Sequence, residues 1–524
     1  MTLLSTVRDP EKIAINSGKW NRAEAHHRNP KVADMLDYRW SISRSFHFSK
    51  NTFFHEYCGP ITLFEIIALL LVIVLPIVVA IASGKGGSGS VTEYIMFLCV
   101  LVAIKTNVLQ FLLGVSWERA ILFHKVCGMV SLACAAIHGL GQLLSMSYSE
   151  ILADPRAFSG MILLILLGLQ PILYAVIKPY FFEVFYFLHL AVYFVMVYYA
   201  VEHGAPFVLY SVIVFAVDLA IRFLLSSYRV QATIESKPGD VIEMSFTKNM
   251  KFRAGQYVFL MIPKLGVYEW HPFTVSSAPH AEKMTLHIKA LGDWTRKLAA
   301  LAENGPAEVV AFVEGPYGLP AVNLEDETYQ VVVLVSGAIG VTPHTSVASH
   351  LVEMHTRGGP LKKLVHVWAL RDPKLALANT MMDSGHLPRN AVRDATAVKD
   401  KTDNTEEDMM LSSAGVIYSE VYCTNGKASN KTRVVIPTDA VETLPTEEAD
   451  LEAATLSDAV VKNGRPDFTD IFARVKALAL AVGEKRVAVS VCGPASMVQT
   501  ATAACRAATS SEVQMDLHVE VFNF

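Results

Sequence analysis

Residues 61–227 are strongly apolar, and the only histidines among them are His124, His138, His189 and His203. His124 and His138 are fourteen positions apart, and so are His189 and His203. Fourteen steps of about 100° bring a helix back to within roughly 40° of its starting face, about 21 Å farther along its axis. Each helix therefore shows two imidazoles on one stripe, one near each leaflet of a bilayer. Two such helices side by side form two stacked sites of paired imidazoles, the axial coordination that a low-spin haem iron takes. A single membrane histidine more often hydrogen-bonds or lines a water cavity. The matched spacing on two hydrophobic helices selects two bis-histidine haems instead.

The chain has 524 residues, enough for two or three domains. Its apolar fraction of 52 % is uneven: it is concentrated in 61–227, and the later half has a soluble composition. A net charge of −4, spread over both halves, gives no nucleic-acid signal. The seven cysteines, Cys58, Cys99, Cys127, Cys134, Cys423, Cys492 and Cys505, contain no Cys-x-x-Cys. They support neither a disulfide framework nor an iron–sulfur or zinc site. The first 60 residues are polar with several Lys and Arg, unlike a cleavable signal peptide.

Apolar runs long enough to span a bilayer lie near 61–82, 93–112, 119–145, 157–177, 180–203 and 206–227. The N-terminal arm carries nine Lys and Arg, and the short loops add Arg119, Lys125, Lys178 and Arg229 on the same side. The opposite loops hold little beyond Lys85, Arg156, Glu150, Asp154 and Glu202. The positive-inside rule puts both termini in the cytosol. An inner haem then rests on His124/His189 and an outer haem on His138/His203. Asp218 and Arg222, four apart on the sixth span, are expected to neutralise one another, with a haem propionate as the alternative partner of Arg222. Lys105 and Glu183 are placed at helix ends, reaching the interface.

After Ser227 the pattern changes to short alternating strands, Tyr228–Glu235, Val241–Thr247, Tyr257–Ile262 and Met284–Ala290, as in a small antiparallel barrel. Within it lie His271-Pro272-Phe273-Thr274, His287-Ile288-Lys289 and Gly292-Asp293-Trp294-Thr295. From Gln330 strands and helices alternate. Gln330–Val335 runs into Ser336-Gly337-Ala338-Ile339-Gly340-Val341-Thr342-Pro343, whose small residues let backbone N–H groups approach a pyrophosphate. Leu364–Leu370 ends at Arg371, and Val487–Val491 leads into Cys492-Gly493-Pro494.

These strings, with the four histidines, resemble the ferric reductase and NADPH oxidase family, part of the ferredoxin–NADP reductase superfamily. The resemblance covers about Glu65 to Phe524 except one insertion. It implies a six-helix membrane haem domain (61–227) after a cytosolic arm (1–60), an FAD-binding β-barrel (228–325) and an NADPH-binding α/β domain (326–524). A polar, acidic segment at about 373–460 is expected to be a partly disordered insertion in that last domain.

The resemblance also implies site roles. His271, Pro272, Phe273 and Thr274, with His287, Ile288, Lys289, Gly292 and Thr295, belong to the flavin site. Thr274 offers its hydroxyl to the flavin ring edge, and His287 with Lys289 meets the pyrophosphate. Gly337, Gly340, Thr342 and Pro343 form the nucleotide loop, which departs from the family's glycines at Ser336 and Ala338. Arg371 meets the adenosine ribose, and an arginine there suits a 2′-phosphate and so NADPH. Arg465, in Gly464-Arg465-Pro466, is a second phosphate candidate. Cys492, followed by Gly493 and Pro494, lies beside the nicotinamide. The ring of Phe524 covers the flavin where nicotinamide must later stack.

Two enzymes fit this electron wire from NADPH through FAD and two b-type haems: a ferric-chelate reductase supporting iron uptake, and an oxidase making superoxide. Both histidine pairs are fourteen apart, as in ferric reductases, whereas oxidases have one pair a residue closer. The outer loop around Gly204-Ala205-Pro206 is short, and Gln142 stands where oxidases commonly have a histidine. Trp117-Glu118-Arg119 also resembles reductases. The reading favoured is a ferric reductase of the plasma membrane, with a ferric chelate as substrate and an iron transporter or a second copy of the chain as partner. A haem sensor with a vestigial flavin module is the alternative from another class, disfavoured by the intact motifs.

Overall fold

The computed structural model describes residues 63–82, 84–105, 117–266, 269–318, 329–371, 392–394, 410, 416–424 and 457–520. Two compact units meet in sequence at Ser226 and Ser227.

The first unit is helical: α1 Leu63–Ala82, α2 Gly84–Ala103, α3 Trp117–Leu143, the short α4 Tyr148–Ala153, α5 Pro155–Val176, α6 Phe182–His203 and α7 Leu209–Ile221, which ends in one π turn, Arg222–Ser226. Four stretches among the described residues are long and apolar enough to cross a membrane: Ala120–Gln142, Pro155–Val176, Phe182–His203 and Pro206–Leu224. Gly87–Ala103 is a shorter apolar helix. Large apolar side chains such as Leu70, Ile165, Phe187 and Ile213 stand more than half exposed. That outward display is what a lipid-facing bundle needs, because lipid replaces the core that water would otherwise demand.

The second span does not run over 93–112 as its apolar run suggested. α2 starts nine residues earlier, at Gly84, and ends at Ala103. Gly84–Ser90 reads as a loop by composition, yet it is helical, and Ser88 is almost wholly buried. Glycine and serine carry little intrinsic helix preference, so packing against neighbours decided their state.

The second unit begins with a six-stranded antiparallel sheet, β1 Ser227–Lys237, β2 Val241–Thr247, β3 Tyr257–Met261, β4 His271–Thr274, β5 Lys283–Lys289 and β6 Ala307–Tyr317, with α8 Asp293–Leu301 before the last strand. Its order is β4-β3-β6-β1-β2-β5, and a Val275–Leu286 bridge joins the two edges into a nearly closed barrel. Alternation drives it: Val230, Ala232 and Ile234 point into the core while Arg229, Gln231 and Thr233 point out.

A seven-stranded parallel sheet follows: β7 Val331–Gly337, β8 Lys363–Leu370, β9 Val392–Asp394, β10 Ile417–Cys423, β11 Ser457–Asn463, β12 Arg486–Cys492 and β13 Gln514–Glu520. Helices α9 Thr342–Thr356, α10 Phe468–Ala481 and α11 Ala495–Ala508 accompany it. The order is β13-β12-β7-β8-β10-β11-β9. Every residue of β7 is buried, since one hydrophobic cluster packs on each face of the sheet.

This sheet corrects the expected insertion at 373–460. β9, β10 and the start of β11 fall inside that range, and β10 lies between β8 and β11 in the interior of the sheet. Ile417, Tyr418 and Val421 are core residues, so this part of the segment belongs to the domain. The rest of 373–460 lies outside the described residues.

Candidate functional site

The four histidines come together as two pairs. His124 on α3 faces His189 on α6 with ring centroids 5.9 Å apart, and His138 faces His203 at 6.0 Å. The ring planes cross at 73° and 81°. An iron between two imidazoles at metal–nitrogen distances of about 2 Å separates the ring centres by roughly 6 Å, so both gaps have the size a bis-histidine haem requires. Hydrogen bonds choose the nitrogen. His124 Nδ1 donates to the Cys99 carbonyl at 2.8 Å, and His203 Nδ1 donates to the Arg156 carbonyl at 2.8 Å. A carbonyl only accepts, so both rings carry their proton on Nδ1 and keep the Nε2 lone pair for a metal. His138 Nδ1 lies 3.2 Å from the Ser88 hydroxyl, whereas His189 Nδ1 is buried without a hydrogen-bond partner among the described residues. Asp218 and Arg222 pair at 3.5 Å, in line with mutual neutralisation.

In the barrel, the two expected flavin strings meet. His271 lies tilted against Trp294 at 4.5 Å and Phe273 stacks on the same ring at 5.9 Å, so the HPFT strand β4 rests on the GDWT turn. Thr295 Oγ1 accepts from the Leu291 and Gly292 backbone N–H groups at 3.0 Å each and shapes that turn. Thr274 is buried on β4 opposite Tyr257. Lys289 Nζ donates to the Gly239 carbonyl at 2.7 Å. His287 and Ile288 are both buried, on opposite faces of β5. Ile288 fills the barrel core, while His287 bonds the Ser276 hydroxyl at 2.7 Å and faces Glu243 at 3.6 Å. Hydrogen bonding to His287, opposed by burial and aided by Lys237, holds the Glu243 carboxyl below the ordinary carboxylate range.

At the C-terminal edge of the parallel sheet, the loop after β7 packs directly on Cys492-Gly493-Pro494. A Cβ on Gly340 would sit 2.8 Å from the Cys492 carbonyl oxygen, and one on Gly493 would sit 2.9 Å from Gly337 Cα. Only glycine permits that approach. Thr342 and Pro343 open α9 and are buried. Ser336 does not obstruct the loop, because its hydroxyl points into the domain, 2.7 Å from His344 Nδ1 and 3.1 Å from His366 Nε2. His344 Nε2 continues the string to Ser490 at 2.9 Å. Burial, with His366 and His518 nearby, drives His344 well below its usual range, so it is neutral. Burial likewise keeps Cys492 a neutral thiol. Arg371 and Arg465 are exposed just past β8 and β11, at the edge where such sheets bind ligands. Phe524 lies outside the described residues.

Three family models match the chain in the order of these parts. They are a ferric reductase like transmembrane component over residues 88–200, an FAD-binding domain over 227–321 and a ferric reductase NAD binding domain over 390–506. The chain belongs to the ferric reductase and NADPH oxidase family. Among the family's curated members, a superoxide-generating NADPH oxidase heavy chain of Dictyostelium discoideum is 26 % identical, over 48 % of this chain and 45 % of that protein. Ferric reduction oxidase 7, chloroplastic, of Arabidopsis thaliana is 29 % identical, over 53 % of this chain and 41 % of that protein. The match thus spans less than half the length of either relative. A ferredoxin NADP+ reductase structure from Neisseria gonorrhoeae aligns with 56 % of this chain and 98 % of its own at 12 % identity and a TM-score of 0.33.

Sequence reasoning for this family member found the histidine pairs and the loops but missed the first turns of α2. Ser88 and Cys99, which hold two of the paired imidazole rings, come from a helix whose first turns read as a glycine-rich loop. The buried string Ser490–His344–Ser336–His366 was also missed, because its members lie far apart in sequence.

Proposed function

We propose that this chain is a membrane ferric-chelate reductase, carrying electrons from cytosolic NADPH by way of FAD and two b-type haems to Fe(III) on the far side of the plasma membrane. One observation carries this reading above the others. The two histidine pairs stand at matching separations of 5.9 and 6.0 Å on α3 and α6, in a chain that continues into flavin and nucleotide folds. FAD supplies the conversion of a two-electron hydride donor into the single electrons that iron accepts.

The chain's own residues supply binding and orientation. The carbonyls of Cys99 and Arg156 fix His124 and His203 with Nε2 free to ligate. Gly337, Gly340 and Gly493 keep the nucleotide loop thin enough for phosphate to approach backbone N–H groups. The Arg371 and Arg465 guanidinium groups suit a 2′-phosphate. Cys492, neutral and buried, brings no competing charge to the hydride path.

The short connection after α6 favours the reductase over the oxidase. Gly204 ends α6 in the left-handed region at φ 91°, and the next helical turn begins at Pro206. So short a link leaves an outer haem edge within reach of a bulky chelate. Gln142 on α3, one turn past His138, lacks the imidazole that an oxygen site would use. Superoxide formation is the second reading, supported by the Dictyostelium relative. To decide, the protein is reconstituted in vesicles with NADPH on the flavin side. Fe(II) is trapped by an impermeant chelator while superoxide is followed in parallel. Fe(II) should dominate; superoxide output that persists at saturating ferric chelate sinks the proposal.

A further inference from the structure

Both rings of the outer pair rest edge-on against glycine. A Cβ built on Gly160 of α5 would stand 2.6 Å from His203 Cε1 and 2.8 Å from its Nδ1. One built on Gly89 of α2 would stand 3.1 Å from His138 Cε1. The same ring carbon, between the two nitrogens, faces glycine in both ligands. Among the described glycines, none has His124 or His189 as a near neighbour, so this seating belongs to one pair only. One residue before Gly89, the Ser88 hydroxyl lies 3.2 Å from His138 Nδ1 and is almost wholly buried.

We infer that Ser88, Gly89 and Gly160 are the positioning residues of the His138/His203 site, with the two glycines seating the imidazoles and Ser88 setting the basicity of His138. This rests on the haem reading proposed above. The physical argument has two parts. An unliganded histidine could swing away from an added methyl group at small cost. His203 cannot once liganded, because Nδ1 is tied to the Arg156 carbonyl and Nε2 would be held by iron. The methyl would then act directly against haem binding. As for Ser88, a histidine that ligates through Nε2 carries its proton on Nδ1, so the hydroxyl oxygen accepts that hydrogen bond. Accepting it raises the ligand's electron donation and favours Fe(III) over Fe(II). The residue therefore biases the potential of the site nearest the final acceptor.

The test uses the full-length protein, with haem stoichiometry, low-spin EPR and reductive titration as readouts. Gly160→Ala should lose or shift one low-spin signal and leave the other. Gly168→Ala, on the same helix with nothing within 4 Å of its Cβ position, should change neither. Ser88→Ala should retain both haems with one midpoint moved to a more positive potential, and Ser88→Thr should restore the original value. Equal damage from Gly160→Ala and Gly168→Ala would overturn the seating, and an unmoved or lowered midpoint in Ser88→Ala would overturn the role of the hydroxyl. His138→Leu separates the two levels of the argument: it should remove roughly half the haem if one of two sites is lost. Unchanged haem in that variant removes the ligand assignment itself, whereas haem loss there with silent Ser88 and Gly160 variants rejects this inference alone.

Discussion

Arg371 is exposed immediately after β8, and Arg465 is exposed just beyond β11. β10 lies between their strands, and backbone hydrogen bonds from Thr424 to Leu370 and from Gly464 to Cys423 tie the three strand ends together. Both cations therefore sit on one edge of the sheet. Arg371→Ala should weaken NADPH on the order of tenfold to a hundredfold, the scale of one charge-assisted phosphate contact, and leave NADH nearly unchanged. Steady-state kinetics with the two nucleotides measure it, and equal losses with both would transfer the role to Arg465. Ser336 teaches a different lesson at this scale. It departs from the family's glycine, yet its hydroxyl satisfies two buried histidines rather than crowding the loop. Which way a side chain points is settled by partners distant in sequence.

Among the elements, β10 shows most clearly how a strand can hide in a polar segment. Tyr418, Glu420 and Tyr422 alternate onto one face, where both tyrosine hydroxyls donate to the Glu420 carboxylate at 2.9 and 2.7 Å. Arg474 of α10 grips the same carboxylate at 2.6 and 3.2 Å, and Lys462 of β11 stands 3.3 Å away. Burial alone would raise the Glu420 carboxyl, but Arg474 above all, with Lys462 and Tyr422, brings it to about 2 from an ordinary 4.5. A carboxyl lowered by folding contributes stability above its unfolded value and loses it as pH falls through the folded one. The network should therefore hold at neutral pH and weaken between about 4.5 and about 2. Glu420→Ala strips the buried Arg474 guanidinium of its main partner and leaves it only the Asp470 carboxylate at 2.9 Å, a loss of up to roughly 3–5 kcal/mol. Thermal unfolding followed by flavin release should show a lowered transition in that variant; an unchanged transition would mean that α10 does not depend on this ion pair.

For the whole molecule, we propose from the charge bias of the loops that both termini lie on the cytosolic face. Tags at the two ends should be reached by protease only after the membrane is opened; protection of one end alone would contradict an even number of spans. Much of this organisation was legible in the chain, because a bilayer and a half-buried barrel both impose simple periodicities on hydrophobicity. The fourteen-residue spacing of the histidines located the two imidazole pairs before any coordinates, since helix geometry is local and nearly invariant. Only the tertiary structure brought Ser88, Gly89 and Gly160 to the outer pair, Cys99 to His124 and β10 into the parallel sheet. Those contacts join residues tens of positions apart. Small or polar side chains acquire their roles from what packs against them, and no local pattern records that.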